Sequence, residues 1–323
     1  MNILLIGNGY IGSAFVERFQ KHFHSSGRPL GKINLTVMDF FESKNKPTTY
    51  MSNDRLSSLT IQYRIGDYVQ LNSLELSKYD CIILLAGSSS VGSCFNMDQA
   101  FDNNVIKFQR LLSNMSNRPN DPVTKLIYAS SASVYGNTNG DMARISRPLE
   151  LPKNNYDATK QCIDIIASQY KQFEIHALRF GTVCGWSPNM RWELMINAMY
   201  KSAIKTKQII VTNGHVNRAI LNITDLIDYV IELMETNMYE PRVNYNPGFH
   251  IHNLASFNGT IKEIAKYTAA ILALEYNHNV EVLYSERSTT QYDFKMESPL
   301  LEREKAWNHI AEIIKSLKNA EIN

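Results

Sequence analysis

Apolar residues in the first 180 positions alternate between two patterns. Short continuous runs occur at Ile3–Ile6, Ile33–Met38, Leu59–Ile65, Asp80–Leu85, Lys125–Ala129 and Glu174–Phe180. Runs of that length suit strands buried on both faces of a parallel sheet. Between them lie helical patterns: Ala14, Phe15, Val16 and Phe19 after the first run, a long stretch from Met97 to Met115, and a segment starting near Asn154 or Asn155, either of which can cap a helix. Strands alternating with helices this regularly predict a doubly wound parallel α/β sheet of the Rossmann type.

Past Phe180 the rhythm changes. Gly181 to Arg191 reads as a loop, followed by a helix to about Ile204, a strand at Gln208–Val211, a helix from Thr224 to Glu235 with Thr224 as cap, a helix at Thr260–Leu274, a strand at Val280–Leu283 and a terminal amphipathic helix. The expected division is residues 1–180 as a dinucleotide-binding domain, to which segments near 208–236 and 250–253 return, and residues 181–323 as mainly a smaller substrate-binding cap over the sheet's C-terminal edge.

Composition excludes several classes. The 323 residues carry 33 basic and 31 acidic side chains, a net charge of +2, with 44% hydrophobic and 20% charged residues, as in ordinary globular proteins. No basic arm or stripe suits nucleic acid. The opening apolar run is too short for a signal peptide or membrane span, and no other stretch approaches membrane length. The four cysteines, Cys81, Cys94, Cys162 and Cys184, lack metal-site or disulfide-frame spacing and read as reduced thiols of a cytoplasmic protein without a bound metal.

The first candidate chemistry follows the first strand. Gly7-Asn8-Gly9-Tyr10-Ile11-Gly12 is Gly-x-Gly-x-x-Gly with a strand before it and a helix after it. The first glycine allows the tight turn, the second a close approach to pyrophosphate, the third helix–sheet packing, and the helix N-terminus receives the anion. Asp39, ending the second strand, is placed to accept from an adenosine ribose and to repel a 2′-phosphate, which favours NAD over NADP, although an aspartate there can also simply cap a turn. Gly66-Asp67 forms a turn able to face an adenine, and Ala86-Gly87-Ser88 is small enough for a dinucleotide to lie across the end of the fourth strand.

The second candidate is Tyr156-Asp-Ala-Thr-Lys160 together with Ser131 in the run Ile127-Tyr-Ala-Ser-Ser-Ala-Ser-Val-Tyr-Gly136. A tyrosine and a lysine four apart share one helix face. The ammonium favours the phenolate and lowers the tyrosine pKa from about 10, which makes Tyr156 a general base, with Ser131 supplying a second hydroxyl to the same substrate oxygen. By itself the pentapeptide also describes a solvated helix face.

Taken together, these residues resemble the extended short-chain dehydrogenase/reductases, specifically the NAD-dependent sugar-nucleotide epimerase/dehydratase family. The resemblance covers most of the chain. It includes the glycine motif, Asp39, Gly66-Asp67, Leu84-Leu-Ala86, Asp102-Asn103-Asn104-Val105, the serine-rich run and Tyr156 with Lys160. It also includes Arg179-Phe-Gly-Thr-Val-Cys-Gly185 and Arg218-Ala-Ile-Leu-Asn-Ile-Thr-Asp225. It implies an NAD site formed by Gly7, Gly9, Tyr10, Ile11, Gly12, Asp39, Gly66, Asp67, Leu85, Ala86, Gly87, Asn103 and Lys160. Tyr156 is implied to move the proton of a sugar 4-hydroxyl, with Ser131 bonding the same oxygen and Lys160 also holding the nicotinamide ribose. The substrate is implied to be a nucleotide sugar touched by Ser131, Thr182, Asn197, Arg218 and Arg287, the arginines on the diphosphate, where a bidentate guanidinium suits phosphate. An arginine in such a place can also be a surface ion pair. The resemblance further implies a homodimer formed through the Tyr-x-x-x-Lys helix and its neighbour.

Two positions point to the reaction. Family dehydratases carry an Asp-Glu pair after the catalytic serine, and other branches a glutamate or a cysteine at the second place; here Ala132 and Ser133 stand there, and neither moves a carbon-bound proton at neutral pH. Oxidation at C4 and return of hydride remain, so a nucleotide-sugar 4-epimerase is expected. A 4-dehydrogenase or 4-keto reductase uses the same residues, a dehydratase would need a base from elsewhere, and a non-catalytic NAD-binding regulator shares the fold. The chain departs from the family pattern in its shorter glycine motif, in Thr182 for an asparagine and in Cys184 for a tyrosine. Trp186 to Trp192 form an aromatic stretch able to stack on a base or sugar, or to pack in a core.

Overall fold

The computed structural model describes residues 1–25, 32–42, 59–117, 124–235, 246–285, 292–301 and 305–321. Its strands are β1 Asn2–Ile6, β2 Ile33–Asp39, β3 Leu59–Ile65, β4 Cys81–Leu84, β5 Lys125–Ala129, β6 Met142–Ala143, β7 Glu174–Phe180, β8 Thr182–Cys184, β9 Gln208–Thr212, β10 Asn217–Asn222, β11 Gly248–Leu254, β12 Phe257–Thr260, β13 Glu281–Ser285 and β14 Lys295–Met296. The α-helices are α1 Tyr10–Ser25, α2 Ser73–Leu76, α3 Met97–Phe101, α4 Lys107–Ser116, α5 Asn155–Ala167, α6 Met195–Thr206, α7 Ile223–Glu235, α8 Ile261–Tyr276 and α9 Ala306–Glu321.

The chain forms two compact units. The first consists of Met1–Val134, Leu151–Leu178 and Ile227–Ile251. Its centre is a seven-stranded sheet in the order β11-β7-β5-β4-β1-β2-β3, with β7-β5-β4-β1-β2-β3 paired in parallel. The strand order reverses beside β1, the topological switch point at which open α/β sheets bind ligands. All four residues of β4 and Ile3 to Ile6 of β1 are buried, as the unbroken apolar runs predict. Leu4, Ile82, Leu126 and Ile175 from the sheet share one core with Phe108, Leu111 and Leu112 of α4 and Ile163 of α5.

The predicted Met97–Met115 helix is interrupted. Asp102–Ile106 forms a π-helical turn between α3 and α4, an insertion often found at functional sites. At the start of α5, Asn154 is the cap, its side chain accepting from the Asp157 N–H.

The second unit consists of Tyr135–Glu150, Arg179–Leu226 and His252–Asn323. It holds three small sheets: β12-β10-β8, β13-β9 and β14-β6. Its core joins Ile196, Tyr200, Ile209, Ile264, Leu272, Ile310 and Ile314. α8 carries a full capping box, in which Thr260 accepts from the Glu263 N–H while the Glu263 carboxylate accepts from the Thr260 N–H.

Three further expectations differ from the structure. The returning segment is 227–251, whereas 208–226 stays in the second unit because β9 and β10 pair with β13, β8 and β12; residues 135–150 join the same unit, where β6 pairs with β14. The segment after Phe180, read as a loop, contains β8, whose three residues are too few to show a period. At the start of α7 the backbone N–H of Thr224 donates to the Asn222 side chain, so the capping oxygen belongs to Asn222.

Candidate active site

The glycine loop joins β1 to α1 in the form the motif predicts. Gly7 has φ +104°, and a Cβ there would lie 2.5 Å from the Ala86 nitrogen. A Cβ on Gly12 would lie 1.9 Å from the Gly7 carbonyl oxygen. The third glycine therefore lets α1 sit directly on the turn. The first turn of α1 has no acidic side chain, so the positive end of its dipole is suited to an anion.

Asp39 braces this loop: one carboxylate oxygen accepts from the Asn8 N–H at 2.6 Å and the other from the Phe40 N–H at 2.7 Å. These two bonds orient the Asp39 carboxylate on the glycine loop. Asp67 caps the short 3-10 turn Tyr68–Gln70 and forms a 2.8 Å ion pair with Lys107. Leu85 and Ala86 donate their N–H groups to the Ile6 carbonyl, which closes β4 onto β1 just ahead of Gly87.

Ser131, Tyr156 and Lys160 belong to the same unit. Strand β5 ends at Ala129, Ser131 immediately precedes the 3-10 turn Ala132–Tyr135, and α5 carries the other two. The Lys160 Nζ lies 5.8 Å from the centroid of the Tyr156 ring and donates to the Ala129 carbonyl at 2.7 Å. Lys160 is buried, and burial brings its pKa down from 10.5 to about 8, with Asp164 opposing the shift. The Ser131 Oγ sits 2.9 Å from the Ser133 Oγ and accepts from the Ser133 N–H at 3.2 Å.

Asn104, quoted in the sequence only as part of a motif, ties these parts together. From within the π turn its amide oxygen accepts from the Ser88 N–H at 2.7 Å, and its amide nitrogen donates to the Ser88 carbonyl and to the Thr159 Oγ1, both at 3.0 Å. Thr159 in turn donates to the Tyr156 carbonyl at 2.8 Å. Asn103 donates to the Ser88 Oγ at 3.2 Å. The loop after β4 and the helix bearing Tyr156 and Lys160 are thus held by one buried carboxamide. An asparagine pair inside an apolar helix was the available signal, since asparagine is a poor helix former and the doublet marks a local break.

In the second unit, Thr182 begins β8 and is half-buried. Asn197 is fully buried, its amide accepting from the Gly185 N–H and donating to the Arg191 carbonyl, both at 3.0 Å. From the packed face of α6 it holds the 185–191 loop from inside. The Arg218 guanidinium donates to the carbonyls of Asn217 and Tyr292. Arg287 lies outside the described residues. Arg179 is buried, donates to the Tyr135 hydroxyl at 3.0 Å and lies over its ring, while that hydroxyl donates to Asn253. Two motif residues read separately in the sequence therefore pack on each other.

A doubly wound sheet with a glycine loop at its first crossover and a serine, a tyrosine and a lysine at the ends of β5 and the start of α5 defines an extended short-chain dehydrogenase/reductase. A model of the NAD dependent epimerase/dehydratase family matches residues 3–248. The chain belongs to that family. Protein CapI of Staphylococcus aureus is 25% identical over 242 residues, covering 73% of this chain and 70% of that protein. The fold is similar to that of the UDP-N-acetylglucosamine 4-epimerase of Methanobrevibacter ruminantium M1 in complex with UDP-N-acetylmuramic acid, with a TM-score of 0.75, 18% identity and coverage of 99% and 98% of the two chains. It is similar also to the UDP-glucuronic acid 4-epimerase of Bacillus cereus in complex with UDP-glucuronic acid and NAD (TM-score 0.74, 19% identity, 99% and 100% coverage). The dTDP-glucose 4,6-dehydratase of Bacillus anthracis in complex with NAD has a TM-score of 0.73, 18% identity and coverage of 100% and 98%.

The protein is an enzyme whose cofactor is NAD. The residues present fit that cofactor: the glycine cradle admits no Cβ at Gly7 or Gly12, Asp39 stands beside the loop, and the buried Ser130 Oγ has no hydrogen-bond partner among the described residues.

Proposed function

We propose that the protein is an NAD-dependent nucleotide-sugar 4-epimerase acting by transient oxidation at C4. The observation that carries this reading is the pairing of a complete Ser131, Tyr156 and Lys160 set with Ala132 and Ser133, which supply no acid or base for elimination. Two proteins of similar fold, named above, are 4-epimerases of UDP sugars, which supports the same substrate class.

When bound, NAD supplies the acceptor and donor of hydride at the sugar C4. Gly7, Gly9, Tyr10, Ile11 and Gly12 would hold its pyrophosphate, Asp39 its adenosine ribose and Gly66 and Asp67 its adenine, and Leu85, Ala86, Gly87, Asn103 and Lys160 would hold the remainder. Tyr156 takes the proton of the 4-hydroxyl and later returns it. Lys160, as a cation, stabilises the phenolate, and Ser131 donates to the same sugar oxygen as it gains carbonyl character. Rotation of the 4-keto sugar before hydride returns inverts C4. Thr182 is assigned to the sugar, and Arg218 and Arg287 to the diphosphate. Asn197 acts through the loop it holds.

A homodimer through α5 and its neighbour is part of the reading, supported by Ile165 of α5 at 61% exposure and Ile106 at 51%. A reducing, cytoplasmic setting agrees with four free thiols.

The test is incubation with a panel of UDP, GDP, dTDP and CDP hexoses and uronates, followed by NMR for C4 inversion and by absorbance for NADH. Inversion without net NADH is expected, and Tyr156→Phe should abolish it. Stoichiometric NADH would instead make the protein a 4-dehydrogenase. Equal turnover by Tyr156→Phe would overturn the mechanism.

A further inference from the structure

The hydrogen bonds around Ser131 leave that side chain one direction for its proton. A hydroxyl has two acceptor lone pairs and one donor hydrogen. One lone pair of the Ser131 Oγ is taken by the Ser133 N–H at 3.2 Å. The Ser133 Oγ lies 2.9 Å away, in reach of the second. Among the described residues these are the only hydrogen-bond partners of the Ser131 Oγ. The bond between the two hydroxyls can run either way, and its direction decides what Ser131 can do. If Ser131 donates to Ser133, its proton is spent inside the turn. If Ser133 donates to Ser131, both lone pairs of Ser131 are filled, and its proton must point to whatever occupies its remaining side.

A sugar oxygen undergoing oxidation at C4 ends as a carbonyl, which only accepts. An oxygen that needs a donor selects the second arrangement. A hydroxyl that accepts while it donates is also the stronger donor, because hydrogen bonds in a chain polarise one another.

We propose that Ser133 is a positioning residue whose hydroxyl donates to Ser131 and so commits the Ser131 proton to the reacting oxygen of the substrate. The inference rests on the 4-oxidation reading above. It gives Ser133 a use other than acid–base chemistry, and it separates Ser133 from Ala132, a methyl side chain with nothing to donate. The short 3-10 turn Ala132–Tyr135 fixes the two serines at this spacing, and the Val134 N–H bond to the Ser131 carbonyl at 3.3 Å closes it. Ser133 is only half-buried, so losing its hydroxyl leaves no sealed cavity.

The test uses the full chain with NAD and the nucleotide sugar that the panel identifies. Ser133→Ala should lower kcat about tenfold, the worth of one ordinary hydrogen bond, with KM within about twofold of wild type. Ser133→Thr, which keeps the hydroxyl, should restore most of the rate. The deciding measurement is the double-mutant cycle: in a Ser131→Ala background, Ser133→Ala should cause no further loss, because Ser133 acts through Ser131. If Ser133→Ala does not fold, Ser133→Thr and Ser133→Val differ only in the hydroxyl and give the same comparison. A kcat for Ser133→Ala within twofold of wild type, a loss that persists undiminished without Ser131, or a Ser133→Thr no better than Ser133→Ala would overturn the inference while leaving the 4-oxidation reading intact. A wild-type protein inactive on the whole panel would overturn both.

Discussion

Lys160 donates to the Ala129 carbonyl at 2.7 Å, which fastens helix α5 to the last residue of strand β5. One buried ammonium therefore fixes the spacing between the helix that carries Tyr156 and the strand that leads into Ser131.

Burial brings the Lys160 pKa down to about 8, so its charge is lost as pH rises through that value. Activity should fall on the alkaline side of about pH 8. A pH profile of kcat checks this, and Lys160→Arg, which keeps its charge, should move the alkaline limb upward even at a lower rate. The same shift bears on stability. The unfolded chain holds this proton to about 10.5 and the folded chain only to about 8, so Lys160 destabilises the fold below pH 8, and the penalty fades between those values. Lys160→Met should be inactive yet about 2 kcal/mol more stable at pH 7, from about 3 for the shift less about 1 for the lost hydrogen bond. Urea unfolding measures it.

Asn104→Ala should lower kcat about tenfold or more and weaken NADH binding, because the Ser88 loop and Thr159 lose their shared partner. NADH fluorescence titration and steady-state rates read both effects. Wild-type affinity and rate in this variant would show that the carboxamide holds nothing that matters.

Asp39 should make NAD the preferred cofactor over NADP, since its carboxylate would face a 2′-phosphate with like charge. Asp39→Asn keeps an acceptor for the Asn8 N–H and should narrow the preference about tenfold. Calorimetric titration of both dinucleotides into both proteins decides it, and an unchanged ratio places the discrimination elsewhere.

Glu174 opens β7 with a buried charge cluster. Its carboxylate pairs with the Lys125 Nζ at 3.1 Å and the His176 Nε2 at 2.9 Å, and Lys125 also donates to the Leu233 carbonyl. Burial alone would raise the Glu174 pKa, but the His176 and Lys125 contacts outweigh it and bring it down from 4.5 to about 2. Stability from this group is present above about pH 4.5 and is lost as pH falls toward about 2. Glu174→Gln strands the Lys125 charge and should destabilise by about 3–5 kcal/mol at pH 7, with a flatter acid limb in thermal melts.

Much of the first unit was legible because its strands are continuous apolar runs and its turns carry glycine. Ile3–Ile6 and Lys125–Ala129 needed only period and composition. Motif spacing singles out Ser131, Tyr156 and Lys160, yet nothing in that spacing reveals that Lys160 reaches the Ala129 carbonyl across 31 residues. Asn104 escaped because a buried amide serving three partners looks, in sequence, like any polar residue on a helix. The second unit was harder to read: β8, β6 and β14 have three, two and two residues, too short for any periodicity, and they exist through pairing with distant segments. The hydrogen bonds of Asn197 were illegible for the opposite reason, since an asparagine at a helix start is as readily turned inward to hold a loop as outward toward a ligand.

The interrupted path of the first unit has a consequence for biosynthesis. Residues 227–251 supply most of α7, whose Ile227, Val230, Ile231 and Met234 are buried and whose Asp228 pairs with Arg18 of α1, and they begin edge strand β11. A nascent chain that has passed Leu178 therefore holds six of the seven strands but leaves β7 as a bare edge and one flank of α1 uncovered. Completion waits until much of the second unit has emerged from the ribosome. A fragment ending at Leu178 should aggregate where one ending at Ile251 has at least the pieces of a closed sheet, and slow synthesis through the intervening segment should expose the unpaired edge longer.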